Sequence, residues 1–244
     1  MTWLDNKQAQ ERMVECIEAL GTREFFDPFL EFVHVVLEVD QLMLFVSTPA
    51  KEMNCLLSRN FYREGLATPL AKAYLDGAYK IDPNYQNLLE LKPGELKIGH
   101  LGDLAAPMTR AYREKFFHKP GLADKISVMY SDNSIRYYLN LYRSDGKQSF
   151  RDDCLFIEPL EGRYLASLIV QHYHMNEELR NEGPLAFLSE REREVCLGIL
   201  AGKKMEAVAA DMEIATSSAL TYRKRAYHKL GINSRGALFS LCRT

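Results

Sequence analysis

Long apolar runs, paired cysteines and catalytic signatures are all missing from this chain. No stretch approaches the roughly twenty apolar residues of a membrane-spanning helix. Asp5, Glu11 and Arg12 interrupt any early apolar run, so no signal peptide is expected. The five cysteines, Cys16, Cys55, Cys154, Cys196 and Cys242, form neither CxxC nor a Cys/His zinc spacing. Scattered and odd in number, mostly within apolar stretches, they read as small buried hydrophobes in a reducing compartment. A cytoplasmic protein with no membrane partner is expected. There is no GxSxG, HExxH, P-loop or GxGxxG. His172 and His174 diverge on a helix and cannot easily share a metal. Asp152-Asp153 reads as the acidic first turn of a helix. No catalytic residue, metal ligand or cofactor is therefore expected.

What is present is divided along the chain. The 244 residues suffice for two domains, and contents of 47% hydrophobic and 26% charged residues are ordinary for a globular protein. The formal net charge of −2 hides an asymmetry. From Leu185 to Thr244 there are ten Lys or Arg against six Asp or Glu, leaving 21 basic and 27 acidic residues upstream. A basic end joined to an acidic body suggests a nucleic-acid-binding segment carried by a part that does not itself bind nucleic acid. Asn181-Glu182-Gly183-Pro184 is the best boundary, with a helix-stopping Gly followed by Pro. The expected domains are 1–180 and 188–244, with 181–187 as linker.

Upstream of that boundary helices and strands alternate. Residues 3–20 space Leu4, Met13, Val14, Ile17 and Leu20 on one helical face. Residues 24–38 form a more apolar helix with Pro28 near its start. Gln41–Ser47 and residues 53–58 read as strands around a Pro49–Lys51 turn. Residues 66–79, 84–91 and 107–117 are helical, and 96–101 is a strand. Residues 125–131 and 135–142 form a hairpin around Asp132-Asn133-Ser134, alternating Arg136, Tyr138 and Asn140 with Tyr137, Leu139 and Leu141. Ser149 is expected to cap a long helix reaching Leu179, bent or interrupted at Pro159. About five antiparallel strands between helices make an α/β/α sandwich of the PAS or GAF kind. The fold class is α+β, this sandwich followed by an all-α four-helix domain.

The four-helix segment is legible residue by residue. Ser189-Glu190-Arg191-Glu192 is a capping box opening helix 190–201, which turns inward Val195, Ile199 and Leu200 and can end at Gly202. A short helix over 206–212 buries Val208, Ala209 and Met212. Thr216 or Ser217 is expected to cap a third helix reaching Leu230 and stopping at Gly231. Ala219, Tyr222, Arg223, Ala226, Tyr227 and Leu230 face inward, while Leu220, Thr221, Lys224 and His228 face out. Ser234 caps a fourth helix. A short basic helix behind a two-helix scaffold suits a major-groove reader of double-stranded DNA. Leu220, Thr221 and Lys224 are the candidates for base edges, Leu220 through apolar contact such as a thymine methyl. Lys203, Lys204, Ser217, Tyr222, Arg225 and Lys229 are the candidates for phosphates.

This segment resembles the LuxR-type helix-turn-helix, also called the GerE or NarL type. Leu188–Leu238 carries the pattern at Ser189, Arg191-Glu192, Val195, Gly202, Val208-Ala209, Met212, Ile214, Lys229-Leu230-Gly231 and Ser234-Arg235. The resemblance implies helix three in the major groove and helix four commonly at a homodimer interface. An activator of this type would also meet RNA polymerase. The chain departs from the pattern at Ser218-Ala219, Leu220, Tyr222 and Arg223. The phosphorylated receiver often joined to such a domain is not expected, because no acidic pair follows the first strand at Val46-Ser47-Thr48.

Tyr74-Leu-Asp-Gly-Ala-Tyr79-Lys-Ile-Asp82-Pro83 resembles a segment of the autoinducer-binding domains of quorum-sensing LuxR proteins. Ala111-Tyr112, Phe116-Phe117, Gly121-Leu122 and Tyr138–Arg143 also fit such a ligand-sensor body. The resemblance implies that Asp82 accepts a bond from a ligand amide and that Tyr74 bonds a ligand carbonyl. The family's Trp is absent, since the only Trp is Trp3, which argues against an acyl-homoserine lactone and leaves another small-molecule effector. Asp82-Pro83 equally reads as a helix N-cap with Pro at the first position, needing no ligand. Tyr62, Tyr130 and Tyr138 are further candidates, since a buried phenol wants a hydrogen-bond partner. Met43, Phe45, Met53 and Leu57 are cavity or core liners. The expected function is a non-enzymatic transcription regulator controlled by a small molecule in its N-terminal body. The alternative is a ligand-independent regulator whose body is a protein-interaction or dimerisation module. A cavity lined by Asp82 and tyrosines would favour the sensor, and a filled body the interaction module.

Overall fold

Alternation along the central strands is the origin of the fold. In the computed structural model, which describes residues 6–50, 52–63, 65–104, 106–133, 135–152 and 159–242, strands β1 (Gln41–Ser47), β2 (Met53–Asn60), β3 (Leu96–His100), β4 (Leu122–Asp132) and β5 (Ile135–Ser144) form one antiparallel sheet. The strand order is β2-β1-β5-β4-β3. Successive side chains leave opposite faces of a strand, and helices cover both faces. Leu42, Leu44, Val46, Ile126, Val128, Leu139 and Leu141 point to one face. There they meet α1 (Lys7–Glu18), α2 (Phe26–Glu31) and α7 (Pro159–Met175). Met43, Phe45, Met129, Tyr138 and Tyr142 point to the other. This second face is roofed by α3 (Ala67–Leu75), α4 (Pro83–Glu90), α5 (Leu101–Leu104) and α6 (Arg110–Arg113), the last continuing as a π turn over Glu114–His118.

Two expected helix starts are corrected. Phe150–Asp152 is not helical: the Ser149 hydroxyl bonds Asp152 Oδ2 at 2.8 Å in a local turn, and the helix begins at Pro159, where a proline is tolerated because its missing N–H would be unpaired in the first turn anyway. It stops at Met175, and a separate short helix α8 (Glu177–Glu182) follows. Neither Thr216 nor Ser217 caps the third helix of the C-terminal unit, because Thr216 already has helical backbone and Ala215 holds the extended cap position. Trp3 and Cys154 lie outside the described residues.

Residues 183–187 form a 3-10 turn whose Leu185, Ala186 and Phe187 are buried. They join the sandwich core to the next unit without a polar break. That unit comprises α9 (Glu190–Leu200), α10 (Met205–Asp211), α11 (Thr216–Leu230) and α12 (Arg235–Cys242). Both arms of the Ser189/Glu192 capping box are formed. Gly198 lets α9 and α10 touch, since a Cβ there would stand 2.7 Å from Val208 Cγ2. Gly231 ends α11 in the left-handed region at φ 62°, which only glycine enters without a Cβ penalty.

His172 of α7 is enclosed between the sandwich and its first helices. Its ring stacks 4.1 Å from Phe25, and its Nδ1 accepts the Gly21 N–H at 3.2 Å. Burial lowers its pKa from 6.5 to about 4. The unfolded chain then binds this proton more readily than the folded one. The resulting stability is present above about pH 6.5 and is lost as pH falls toward 4. Between pH 7 and pH 5 the native chain should lose about 2 kcal/mol more than His172→Gln, which keeps an acceptor for Gly21. Urea unfolding at the two pH values measures this, and equal losses would contradict it.

Candidate nucleic-acid interface and buried polar site

The outward face of α11 follows from its burial. Ala219, Ala226 and Leu230 are buried, Tyr222, Arg223 and Tyr227 are half-buried, and Ser217, Leu220, Thr221, Lys224, Arg225 and His228 are exposed. Leu220 is 40% exposed, an uncovered large apolar side chain amid polar neighbours. The Thr221 hydroxyl donates to the Ser217 carbonyl at 3.0 Å. Lys203 and Lys204 are exposed just before α10, with Lys203 bonded to Asp211 at 2.6 Å. Lys229 is held by Glu192 at 3.2 Å and lies 3.9 Å from Asp27. The nine residues expected to meet DNA thus fall into two groups. Ser217, Leu220, Thr221, Lys224, Arg225, Lys203 and Lys204 are open to solvent, whereas Tyr222 and Lys229 are partly engaged within the protein.

The far end of α11 is anchored to the sandwich. Arg59 of β2 donates to the carbonyls of His228 and Lys229, and Thr68 of α3 donates to the Leu230 carbonyl at 3.2 Å. These carbonyls lie at the negative end of the helix, where a guanidinium is favourable. Glu182 Oε1 receives Arg23 at 2.7 Å and Arg193 of α9 at 2.9 Å.

The second site is Asp82. Its backbone is extended at φ −72° and ψ 124°, Pro83 follows at the first helical position, and Oδ1 accepts the Asn84 N–H at 2.9 Å. The N-cap reading and the tyrosine contact are both realised, one on each oxygen. Oδ2 accepts the hydroxyls of Tyr74 at 2.9 Å, Tyr138 at 3.1 Å and Tyr112 at 3.2 Å. Lys125 Nζ stands 3.7 Å from Oδ2 and donates to the Tyr138 hydroxyl at 2.8 Å. Sheet register assembles this group. Tyr138 is flanked by Phe45 and Met129, Asn140 by Met43 and Ser127, and Tyr142 by Gln41 and Lys125.

Burial sets the electrostatics. Desolvation, reinforced by the charge of Asp82, drives the phenol pKa values of Tyr74, Tyr112 and Tyr138 far up, so they stay protonated and donate. Desolvation lowers the pKa of Lys125, opposed by Asp82. The lysine also lies 5.1 Å from the Tyr138 ring centre and 5.8 Å from that of Tyr142. A carboxylate offers about four lone-pair positions, two on each oxygen; three hydroxyls converge on Oδ2 and a single N–H reaches Oδ1. The adjoining space among Gln41, Leu70, Phe116, Lys125 and Tyr142 measures about 10 Å³, the room of a single water.

Tyr62 and Tyr130 do not reach this site. Tyr62 is 66% exposed beside His34, and Tyr130 packs toward the opposite face of the sheet, under Arg163 of α7. Tyr112 and Lys125 are members that sequence reasoning missed. The described cysteines are free: Cys16, Cys55 and Cys196 are buried with thiol pKa values pushed up to about 12. Among the described residues no group of three His, Cys, Asp or Glu is placed to hold a metal, and no helix is long and apolar enough to cross a membrane.

Residues 186–242 match the family model of bacterial regulatory proteins of the luxR family. The C-terminal unit is a luxR-family DNA-binding domain. The luxR class is one of regulators rather than enzymes. The chain is 34% identical over 73 residues to the response regulator UvrY of Escherichia coli (strain K12), covering 29% of this chain and 34% of that protein. It is 44% identical over 50 residues to the probable transcriptional regulatory protein NarL of Mycobacterium tuberculosis (strain H37Rv), covering 20% of this chain and 23% of that protein. The chain therefore spans about a third or less of the length of these curated relatives. A crystal structure of the VqsR LBD domain from Pseudomonas aeruginosa aligns with a TM-score of 0.54 at 20% identity, covering 70% of this chain and 99% of that one. It shares the fold of the N-terminal sandwich joined here to the luxR-family domain.

The site makes a stability prediction. Asp82→Asn keeps an oxygen for Asn84 but strips Lys125 of its counter-charge, and should cost about 3–5 kcal/mol in urea unfolding. Adding Lys125→Met should restore about half of that loss. A single-variant cost below about 1 kcal/mol would contradict the arrangement.

Proposed function

We propose that this chain is a sequence-specific transcription regulator that binds double-stranded DNA as a homodimer. The domains are read as 1–180 and 188–244, with 181–187 between them. The observation carrying the reading is the exposed face of α11 on a luxR-family domain. Leu220, Thr221 and Lys224 are the base-edge readers. Lys203, Lys204, Ser217, Arg225, Tyr222 and Lys229 meet phosphates, the last two after release from their internal contacts. Two copies would address half-sites about one helical turn apart.

The body is best read as independent of a small molecule, working as a dimerisation or protein-interaction module. Its support is the self-satisfied Asp82 carboxylate beside a space of about 10 Å³. Small-molecule control is the second reading, favoured by Gln41 Nε2, which is buried in the wall of that space without an acceptor. A thermal-shift screen of chemically diverse small molecules, acyl-homoserine lactones included, separates the two. No stabilisation is expected, and a saturable rise in melting temperature would select the second reading.

Selection of a preferred duplex from a random pool tests the DNA reading. Lys224→Ala should weaken the selected duplex by about 5- to 150-fold and random duplex far less. Arg225→Ala should weaken both alike and lower the salt slope by about one. Equal losses on both duplexes for Lys224→Ala would remove it from base reading.

A further inference from the structure

The reading face of α11 presents carbon where hydrogen-bonding groups would ordinarily carry base choice. Leu220 is 40% exposed at the first outward turn of the helix. Its neighbour Thr221 carries a hydroxyl, but that hydroxyl's proton is spent on the Ser217 carbonyl at 3.0 Å. A threonine bonded back to the preceding turn has no proton left to donate to a base, which leaves it a methyl and an acceptor oxygen. Leu220 and Thr221 thus form an apolar step, and Lys224 stands one turn further on the same face, also exposed. In the major groove the one apolar group that distinguishes bases is the C5-methyl of thymine, which 5-methylcytosine shares.

We propose that this helix recognises a C5-methyl group in the major groove, with Leu220 as the principal contact and the Thr221 methyl beside it. Lys224 then reads guanine O6 and N7 nearby. Four residues of helix advance about 6 Å, or about two base-pair steps, so methyl and guanine lie one to two base pairs apart. The inference rests on the DNA-binding reading and specifies what that reading selects. Binding would depend on a methyl group itself, so cytosine methylation at that position would replace thymine.

The test uses the intact chain and the duplex enriched from a random pool. Each thymine is replaced singly by deoxyuridine, which removes only the methyl. One position per half-site should lose about threefold to tenfold in affinity. The same replacement should change binding less than about twofold in Leu220→Ala, whose exposed position leaves folding intact by circular dichroism. At that position 5-methylcytosine opposite guanine should bind more tightly than cytosine. Loss at no thymine, or an equal loss in Leu220→Ala, would overturn the inference while leaving sequence-specific binding standing. Failure to enrich any duplex would overturn the DNA-binding reading and this inference with it.

Discussion

The Asp82 carboxylate is the constraint around which the N-terminal sandwich is organised. A buried carboxylate is tolerated only when its lone pairs are filled and its charge is answered. Asn84 N donates to one oxygen, Tyr74, Tyr112 and Tyr138 donate to the other, and Lys125 answers the charge. Those five partners come from α3, α4, α6, β4 and β5. One carboxylate therefore fixes the helical roof to the central strands and the start of α4 to both. Replacing a buried ion pair of this kind by apolar groups is often neutral, whereas removing one partner alone is costly. The space beside these groups measures about 10 Å³, and Gln41 Nε2 in its wall is without an acceptor.

The same economy of partners joins the two units. The apolar core passes through Leu185, Ala186, Phe187 and Leu188 into the luxR-family domain. Arg59 and Thr68 hold the carbonyl end of α11, while Leu220, Thr221 and Lys224 near its other end stay open. The helix α11 is thus anchored at the end away from the residues proposed to read DNA. A change in the sandwich that moved β2 or α3 would move that anchor directly. Under the proposed function, this contact would be the route by which the body biases the orientation of α11.

Periodicity made most of the fold legible. Strand alternation placed β1 and β5, and the Ser189 capping box located α9 almost to the residue. The buried and exposed sides of α11 were equally readable from helical spacing. Part of the polar site was visible as well, since Tyr74 and Asp82 do meet and Asp82 does cap a helix. Lys125 was not, because a lysine alternating with apolar strand residues reads as a solvent face. Here that face is roofed by helices, a tertiary fact no local pattern contains. Tyr112 is hidden from local pattern for the same reason: its partner lies thirty residues away in sequence. Tyr130 and Tyr138 show the importance of strand parity. One residue's displacement along β4 sends Tyr130 to the opposite face, while Tyr138 on β5 points at Asp82. At Ser149 a good cap followed by acidic residues imitated a helix start that a local side-chain turn uses instead.

Native mass spectrometry of the chain purified from its own host tests the closed, self-satisfied body most directly. The account predicts the mass of the polypeptide alone, or of its dimer, with no retained organic molecule. A stoichiometric small molecule that co-purifies with the native chain and is lost from the Asp82→Asn/Lys125→Met variant would contradict it.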